Sequence, residues 1–488
     1  MHVILFNPSP RRGFQAHRRV EMPLNLLHPA TPLAHAGFHV KIVDQFADPY
    51  WERKFEEALR DKPVCFGVSC MTGPQIIRAL AACKAVKQRY PDVPTVWGGI
   101  HPTILPEQTL QHPLVDIVVI GEGEATLLEL VKALVNGNSL RAIAGIGYRE
   151  NGSVRLNEAR PFVDLNAQPP LAYDLVDINL YRRKIFSSDH VSFCSSRGCP
   201  YRCGFCYDNV VHKRTWRAMQ PERVVEELKR LMRDYDIHGF NFTDDNLFTN
   251  LDHAHRLIAA IARADIKIKI GKLHVRIDSI RRMDNDFLDL LAHVGVERLT
   301  TGVESGNQRV LDLIEKNLKV EYVLEVSRKL IGRPFLPVYL FMMGLPTETP
   351  EELAQSVRLA EQLLHENPKA AKSFNIYTPY PGTSLYQLAI KMGLKEPQRL
   401  EDWSPLTYRH VAKESPWMVP ATKKLISGLD FPLMFLGTNF QYKKVHPIVK
   451  GLGALYLPVA RYRVRNMDAR FPIETKLLKT FGLFGRED

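Results

Sequence analysis

The sequence predicts an α/β protein in three parts. These are an N-terminal doubly wound (Rossmann-like) domain, a partial (β/α)6 TIM-like barrel and a small, mainly helical C-terminal domain. Three observations predict it. Short β-rich runs alternate with segments of helical periodicity through the first 150 residues, and a second alternation runs from 191 to about 378. The last hundred residues lose the strand pattern and become aromatic and basic.

In the first part, "HVILFN" (2–7), "HVKIVD" (39–44), "VCFGVS" (64–69), "TVWGG" (95–99) and "DIVVIGEG" (116–123) read as parallel strands. "PYWERKFEEALRDK", "QIIRALAACKAVKQRY" and "ATLLELVKALVNG" carry apolar residues at helical spacing between them. Ligands of such domains sit outside the carboxyl ends of the strands. The informative loops are therefore "SCMTG" (69–73), "GGIHPT" (98–103) and "GEGEAT" (121–126). No GxGxxG is present, which argues against a dinucleotide. Residues 151–190, with "NAQPPLAYDL", read as a linker. The barrel strands are "VSFCSS" (191–196), "GFNFTDD" (239–245), "KIGKLHVRID" (269–278), "RLTTGVES" (298–305), "LPVYLFMMGLP" (336–346) and "SFNIYTPYPGT" (373–383). Amphipathic helices such as "PERVVEELKRLMRDY" and "TPEELAQSVRLAEQLLHE" separate them, which suits six βα units with chemistry at the strand C-termini. The expected boundaries are 1–150, 151–190 (linker), 191–390 (barrel) and 391–488 (helical C-terminus).

With 45% hydrophobic and 24% charged residues the chain reads as ordinary globular protein. Two stretches free of Asp, Glu, Lys and Arg, 22–40 and 373–390, are too rich in Pro, His, Thr and Asn for membrane spans. The apolar run at the start is too short for a signal peptide, so the expected location is cytoplasmic, where thiols stay reduced. Net charge is +12, and residues 391–488 hold 17 Lys/Arg against 9 Asp/Glu. No zinc finger, RNP-like or helix-turn-helix signature accompanies that charge, so no nucleic acid is expected.

"CSSRGCPYRCGFC" (194–206) holds four of the seven cysteines. The spacing is Cys199-x3-Cys203-x2-Cys206, with Cys194 outside it. A structural zinc wants four ligands, commonly from two knuckles, and only one knuckle is present. Three thiolates on one loop instead suit a [4Fe–4S] cluster with one iron open to substrate, zinc or an inert loop being the alternatives. The loop follows the first barrel strand, so an open iron would face the barrel mouth. Cys194, within that strand, reads as a packed thiol.

"RGCPYRCGFCY" is similar to the CxxxCxxC motif of the radical S-adenosylmethionine (SAM) superfamily, including Phe205 before the last cysteine. The resemblance implies a [4Fe–4S] cluster on Cys199, Cys203 and Cys206 whose open iron chelates SAM, and reductive cleavage to a 5′-deoxyadenosyl radical. It further implies SAM contacts from Phe205, from Asp244 and Asp245 in "FTDDNLF", from Arg276 in "HVRID" and from Glu304 and Ser305 in "GVESGNQ". The first domain, with "GVSCMT", "VWGGIHPT" and "DIVVIGEGEATLLEL", resembles the cobalamin-binding domain of the class B, or BchE-like, radical SAM enzymes. On that resemblance Gly98, Gly99, Gly121 and Gly123 let a corrin ring approach backbone, and Ser69, Thr72 and Thr103 hydrogen-bond its side chains or tail. The loop after the first strand has no DxHxxG, so no histidine is expected beneath the cobalt, and His101 is read as structural. The similarity spans roughly 1–390.

Together these resemblances imply a cobalamin-dependent radical SAM enzyme. The first expectation is a methyltransferase acting on an unactivated carbon of a hydrophobic or natural-product substrate such as a lipid, terpenoid or tetrapyrrole. The alternatives are an oxidative cyclase or rearrangement enzyme of the same family, and a non-catalytic metal-bound scaffold or electron carrier. An external electron donor of flavodoxin or ferredoxin type is implied. The basic, partly apolar segments "GLGALYLPVA" (451–460) and "KLLKTFGLF" (476–484) suggest peripheral membrane contact; closing the barrel is the alternative.

Overall fold

The computed structural model describes residues 1–10, 20–185, 188–406, 411, 414–436 and 447–470. Its first sheet comprises β1 (His2–Asn7), β2 (His39–Asp44), β3 (Phe66–Ser69), β4 (Thr95–Gly98), β5 (Ile117–Val119), β6 (Ile146–Glu150) and β7 (Ser153–Leu156), in the order β2-β1-β3-β4-β5-β6-β7. The first five strands are parallel. All six residues of β1 are buried, as an apolar run covered on both faces requires. Chain direction diverges between β1 and β3, the switch point at which doubly wound sheets open a crevice.

β6 and β7 pair antiparallel and extend the sheet across the boundary expected at 150. Asn151 and Gly152 both have positive φ, 51° and 80°, the geometry of a tight primed hairpin turn. The Asn-Gly pair is the local signal for it. The rest of the segment expected as a linker is equally anchored: the Arg223 guanidinium donates to the carbonyls of Asn166 and Gln168, and Tyr181 donates its hydroxyl to Asp44.

The second sheet begins with β8 (Arg183–Ile185) and β9 (Ser188–Phe193). A two-residue ribbon, β10 (Ser196–Arg197) with β11 (Arg217–Ala218), comes next. Then come β12 (Gly239–Phe242), β13 (Lys269–His274), β14 (Arg298–Glu304), β15 (Leu336–Met343) and β16 (Ala371–Ile376). The order is β16-β15-β14-β13-β12-β9-β8, so six parallel strands run in chain order as an open barrel wall, with β8 antiparallel at the edge. Covering helices start where the sequence dictates. Thr349 and Glu352 form a reciprocal capping box with Pro350 in the first turn of Pro350–Glu366.

Several strands end sooner than their sequence pattern suggests. β13 stops at His274 and Arg276 precedes the helix Ile277–Arg282; β9 stops at Phe193, leaving Cys194 past the strand end. The freed residues form the loops at the barrel mouth. In the C-terminal part, Pro420–Leu433 packs with Pro447–Arg465. Among the described residues no helix is long and apolar enough to cross a membrane. The segment 476–484 lies outside the described residues.

Candidate active site

The loop leaving β9 is shaped by one carboxylate. Asp244, just past β12, accepts the Ser195 and Ser196 hydroxyls at 2.7 and 2.6 Å and the Ser195 amide at 3.2 Å. Burial outweighs these donors and raises its carboxyl to about 6. Its oxygens are therefore occupied in holding the cysteine loop, which makes Asp244 a brace where a SAM contact was expected. The neighbouring Asp245 is more open and accepts the Gly198 amide at 2.7 Å. Gly198 has φ +82°, and a Cβ there would lie 2.0 Å from the Thr215 carbonyl oxygen, so only glycine fits.

Cys199 and Cys206 are half-buried and Cys203 is buried; all seven cysteines are free. The Asn246 amide is directed at the Cys199 sulfur at 3.8 Å, and the Arg276 guanidinium at the Cys203 sulfur at 3.7 Å. Burial pushes the Cys199 thiol up and Cys206 to about 12. Among the described residues, the one group of three potential ligands converging within 4.8 Å is Asp208, His212 and Asp245, not the cysteines. A single tetrahedral zinc holds its sulfurs about 3.8 Å apart, so the looser cysteine triad fits a polynuclear cluster better than one ion. N–H groups aimed at the sulfurs are the donors that stabilise cluster thiolates.

Arg276 organises the next layer. It stacks on Tyr201 at 3.6 Å, pairs with Asp278 at 2.8 Å and donates to the Lys316 carbonyl. Lys316 in turn holds Glu304 at 2.8 Å and lies over the Phe205 ring. Glu304 takes φ +68° at a register shift in β14, a costly conformation for a non-glycine residue and one that clusters at functional sites. A Cβ on Gly302 would strike this ion pair. Phe205, Arg276 and Glu304 are thus brought together around Cys203. Ser305 is not: it is fully buried, with its hydroxyl against Ser356 and the Asn307 amide.

A cavity of about 300 Å³ opens between the two sheets. Ser69, Gly98, Gly99, Thr103, Gly121 and Gly123 line it from the first domain; Cys194, Arg197, His212, Thr243 and Asp245 line it from the barrel. Gly121, at φ +83° with nothing within 4 Å of its missing Cβ, leaves backbone open to a ligand. Thr103 accepts the Gly121 amide at 3.0 Å and fixes that loop. Thr72 is the exception among the seven expected contacts: it is buried, 3.0 Å from His101 Nδ1. His101 packs on Trp403, and burial lowers it to about 4, which marks a structural imidazole. Small residues, backbone amides and hydroxyls around an open cavity suit a flat, amide-rich ring such as a corrin.

Sequence reasoning missed the groups that join the two sides. Glu122 accepts Arg197 at 2.8 Å, both Arg217 nitrogens at 2.9 and 3.0 Å, and the Val163 amide at 2.9 Å. Glu124 accepts the other Arg197 nitrogen at 2.6 Å. Burial opposes ionisation of Glu122, yet Arg217 and Arg197 hold its carboxyl below the usual range. Asp208, His212 and Asp245 gather beside this clasp. Burial and the adjacent Asp245 push Asp208 up, and Arg217 approaches His212 Nδ1 at 3.5 Å. That leaves His212 Nε2 facing the carboxylates, 3.7 Å from Asp208 and 3.8 Å from Asp245. The charges in "GEGEAT" and "SSRG" are visible in the sequence; their pairing across some 75 residues is not.

The Radical SAM superfamily matches residues 193–360, and the B12 binding domain matches residues 18–131. An uncharacterized methyltransferase of Pyrococcus horikoshii is 31% identical over 382 residues, covering 76% of this chain and 79% of that one. The anaerobic magnesium-protoporphyrin IX monomethyl ester cyclase of a Synechocystis strain is 28% identical over 443 residues, 88% of this chain and 85% of that one. The radical S-adenosylmethionine methyltransferase TsrM of Kitasatospora setae, solved with cobalamin and a [4Fe–4S] cluster, superposes with a TM-score of 0.70 at 20% identity. That comparison covers 96% of this chain and 99% of that one, and it shows a shared fold.

Proposed function

This chain belongs to the radical SAM enzymes that carry a B12-binding domain, and we propose from that footing that it is a cobalamin-dependent C-methyltransferase acting on a small molecule. One observation carries the reading: a single cavity is lined both by the glycine loops of the first domain and by the barrel residues beside the cysteine loop. Cys199, Cys203 and Cys206 hold the [4Fe–4S] cluster, with Asn246 and Arg276 directed at two of their sulfurs. Gly98, Gly99, Gly121 and Gly123 receive the corrin, with Ser69 and Thr103 beside it. Phe205, Arg276, Glu304 and Asp245 are the SAM-facing candidates. Bound together, these cofactors supply a carbon-centred radical and a transferable methyl group.

The chain's own task is to hold three reacting centres in register and keep water out. Arg276 directs its positive charge at the Cys203 sulfur, and Lys316, paired with Glu304, lies over the Phe205 ring. The Glu122–Arg197–Arg217 clasp fixes the distance between the glycine loops and the cysteine loop. An oxidative cyclase is the second reading, favoured by the match to the Synechocystis cyclase over 88% of this chain. Hydrophobic and tetrapyrrole-like substrates fit either reading, since apolar surface prevails in the cavity lining, with Leu5, Val68, Val96 and Val119 among it.

Anaerobic reconstitution with iron, sulfide and cobalamin, and then mass spectrometry of SAM products, tests this. A methyltransferase releases S-adenosylhomocysteine and 5′-deoxyadenosine; a cyclase releases only the latter. The triple variant C199A/C203A/C206A loses the brown absorbance and all 5′-deoxyadenosine, while Cys194→Ala keeps both. Stoichiometric zinc without iron refutes the reading.

A further inference from the structure

A second opening lies on the cysteine loop, apart from the cavity between the sheets. It measures about 330 Å³ and is lined by Cys203, Cys206, Arg202, Arg214, Glu315 and Ser384, among others. None of the three motif cysteines lines the cavity between the sheets. Two candidate cluster ligands are therefore approached from solvent on a face that the cobalamin-side cavity does not share.

That face is positively charged. Arg202 lies inside the cysteine motif, and Lys213 and Arg214 lie beyond it on a tight turn; all three side chains are exposed, without an ion-pair partner among the described residues. The one carboxylate in the cleft, Glu315, accepts the Ser384 hydroxyl at 3.2 Å. Lys213 and Arg214 have φ of 48° and 59°, consecutive left-handed residues that L-amino acids adopt only at a cost. The turn is held there because its Thr215 carbonyl packs into the space that Gly198 leaves empty. Backbone strain is thus retained where it projects a guanidinium beside Cys206. Exposed cations around an opening focus the field outward and speed the approach of an acidic partner.

We propose that this cleft is the docking site of an acidic one-electron carrier protein, which reduces the cluster through its Cys203–Cys206 edge. One electron leaves the carrier and one enters the cluster; no bond forms or breaks and no proton moves. The inference rests on the cluster assigned under the proposed function, and on charge complementarity at the cleft.

The test uses holoenzyme with reconstituted cluster and a reduced flavodoxin as the donor. Loss of the brown absorbance is monitored by anaerobic stopped flow at low salt, and again with photoreduced 5-deazariboflavin, a small reductant that needs no docking. The variant R202E/R214E should slow reduction by flavodoxin about tenfold or more at low salt and invert its salt dependence, the rate rising as salt screens the repulsion. Reduction by 5-deazariboflavin should stay at the wild-type rate. R202Q/R214Q, which deletes charge without reversing it, should fall between the two at equal iron content. Equal flavodoxin rates in all three proteins overturn the proposal, as does equal slowing with both reductants. A wild-type holoenzyme that flavodoxin bleaches in a salt-dependent, Arg-dependent way, yet which never forms 5′-deoxyadenosine, supports the docking site and sinks the enzymatic reading.

Discussion

Arg197→Met removes the charge from the clasp while keeping most of its volume, and its effect can be worked out from Glu124. That carboxylate is 3% exposed, with Arg197 at 2.6 Å and His28 Nδ1 at 3.9 Å. Burial lowers His28 far below its ordinary value, so it is neutral and supplies no countercharge. In the variant the cheapest response of the Glu124 side chain is to take up a proton. An ordinary glutamate titrates at about 4.3, so protonation at pH 7 costs about 3.7 kcal/mol, within the range for breaking a buried pair. At pH 5.5 the same cost is about 1.6 kcal/mol.

The sign is set by linkage. A carboxyl raised in the folded variant destabilises above its unfolded value and stops doing so below it. Glu122 behaves oppositely, being held low; its contribution is lost only below the ordinary glutamate range and does not enter this window. The gap between wild type and R197M, from urea titrations monitored by fluorescence of the buried Trp97, Trp403 and Trp417, should therefore shrink by about 2 kcal/mol from pH 7 to 5.5. A gap equal at both pH values, or below about 1 kcal/mol at pH 7, refutes the reasoning.

Gly121→Val forces a β-branched residue into φ +83° and fills the cavity, so corrinoid retained through gel filtration should fall while cluster absorbance persists. Gly99→Ala places a Cβ 2.8 Å from the Cys70 amide nitrogen and should lower stability before it touches any ligand. Electron paramagnetic resonance of bound cob(II)alamin should show no axial imidazole nitrogen, and His101→Ala should leave the spectrum unchanged; nitrogen splitting lost in that variant contradicts the structural role given to His101. Leu455, Val459 and Tyr462 are exposed on the helix Pro447–Arg465; if this face meets lipid, the chain should float on anionic liposomes and do so less as salt rises, whereas no flotation leaves the helix to close the barrel. R461E/R465E should reduce it, and equal flotation on neutral vesicles would argue against it. Arg463 is unsuited to that test, being buried and bonded to the Gly428 carbonyl.

What the sequence can express is local. The cysteine loop, the glycine loops and the βα alternation each lie within a dozen or so residues, and each is present in the fold at its expected place. The Asn-Gly hairpin at 151 is equally local, but the Pro-rich stretch beyond it masks the signal by making the whole segment resemble a linker. Asp244 is legible as an acid at a strand end, but not in its task. Whether a carboxylate braces a loop or meets a ligand depends on which hydroxyls fold against it, and Ser195 and Ser196 lie some 50 residues away. Thr72 and Ser305 differ from expectation for the same reason: a hydroxyl can point either way, and His101 and Ser356 decide.

The clasp carries that argument to the architecture itself. Glu122 and Glu124 alternate with the glycines of "GEGEAT", while Arg197 immediately precedes Gly198 in the cysteine loop. Small residues and thiols mark both loops for ligands, whereas the charged residues among them suggest no ligand role. A loop that must leave backbone bare for a ligand has little side-chain packing to hold its position. Buried, charge-assisted bonds from interleaved residues supply that restraint without filling the cavity. Opposite charge embedded in two such loops is then a reason, legible in sequence, to place them face to face. Here the rule joins residues 122 and 124 to 197, and with them the glycine loop to the cysteine loop.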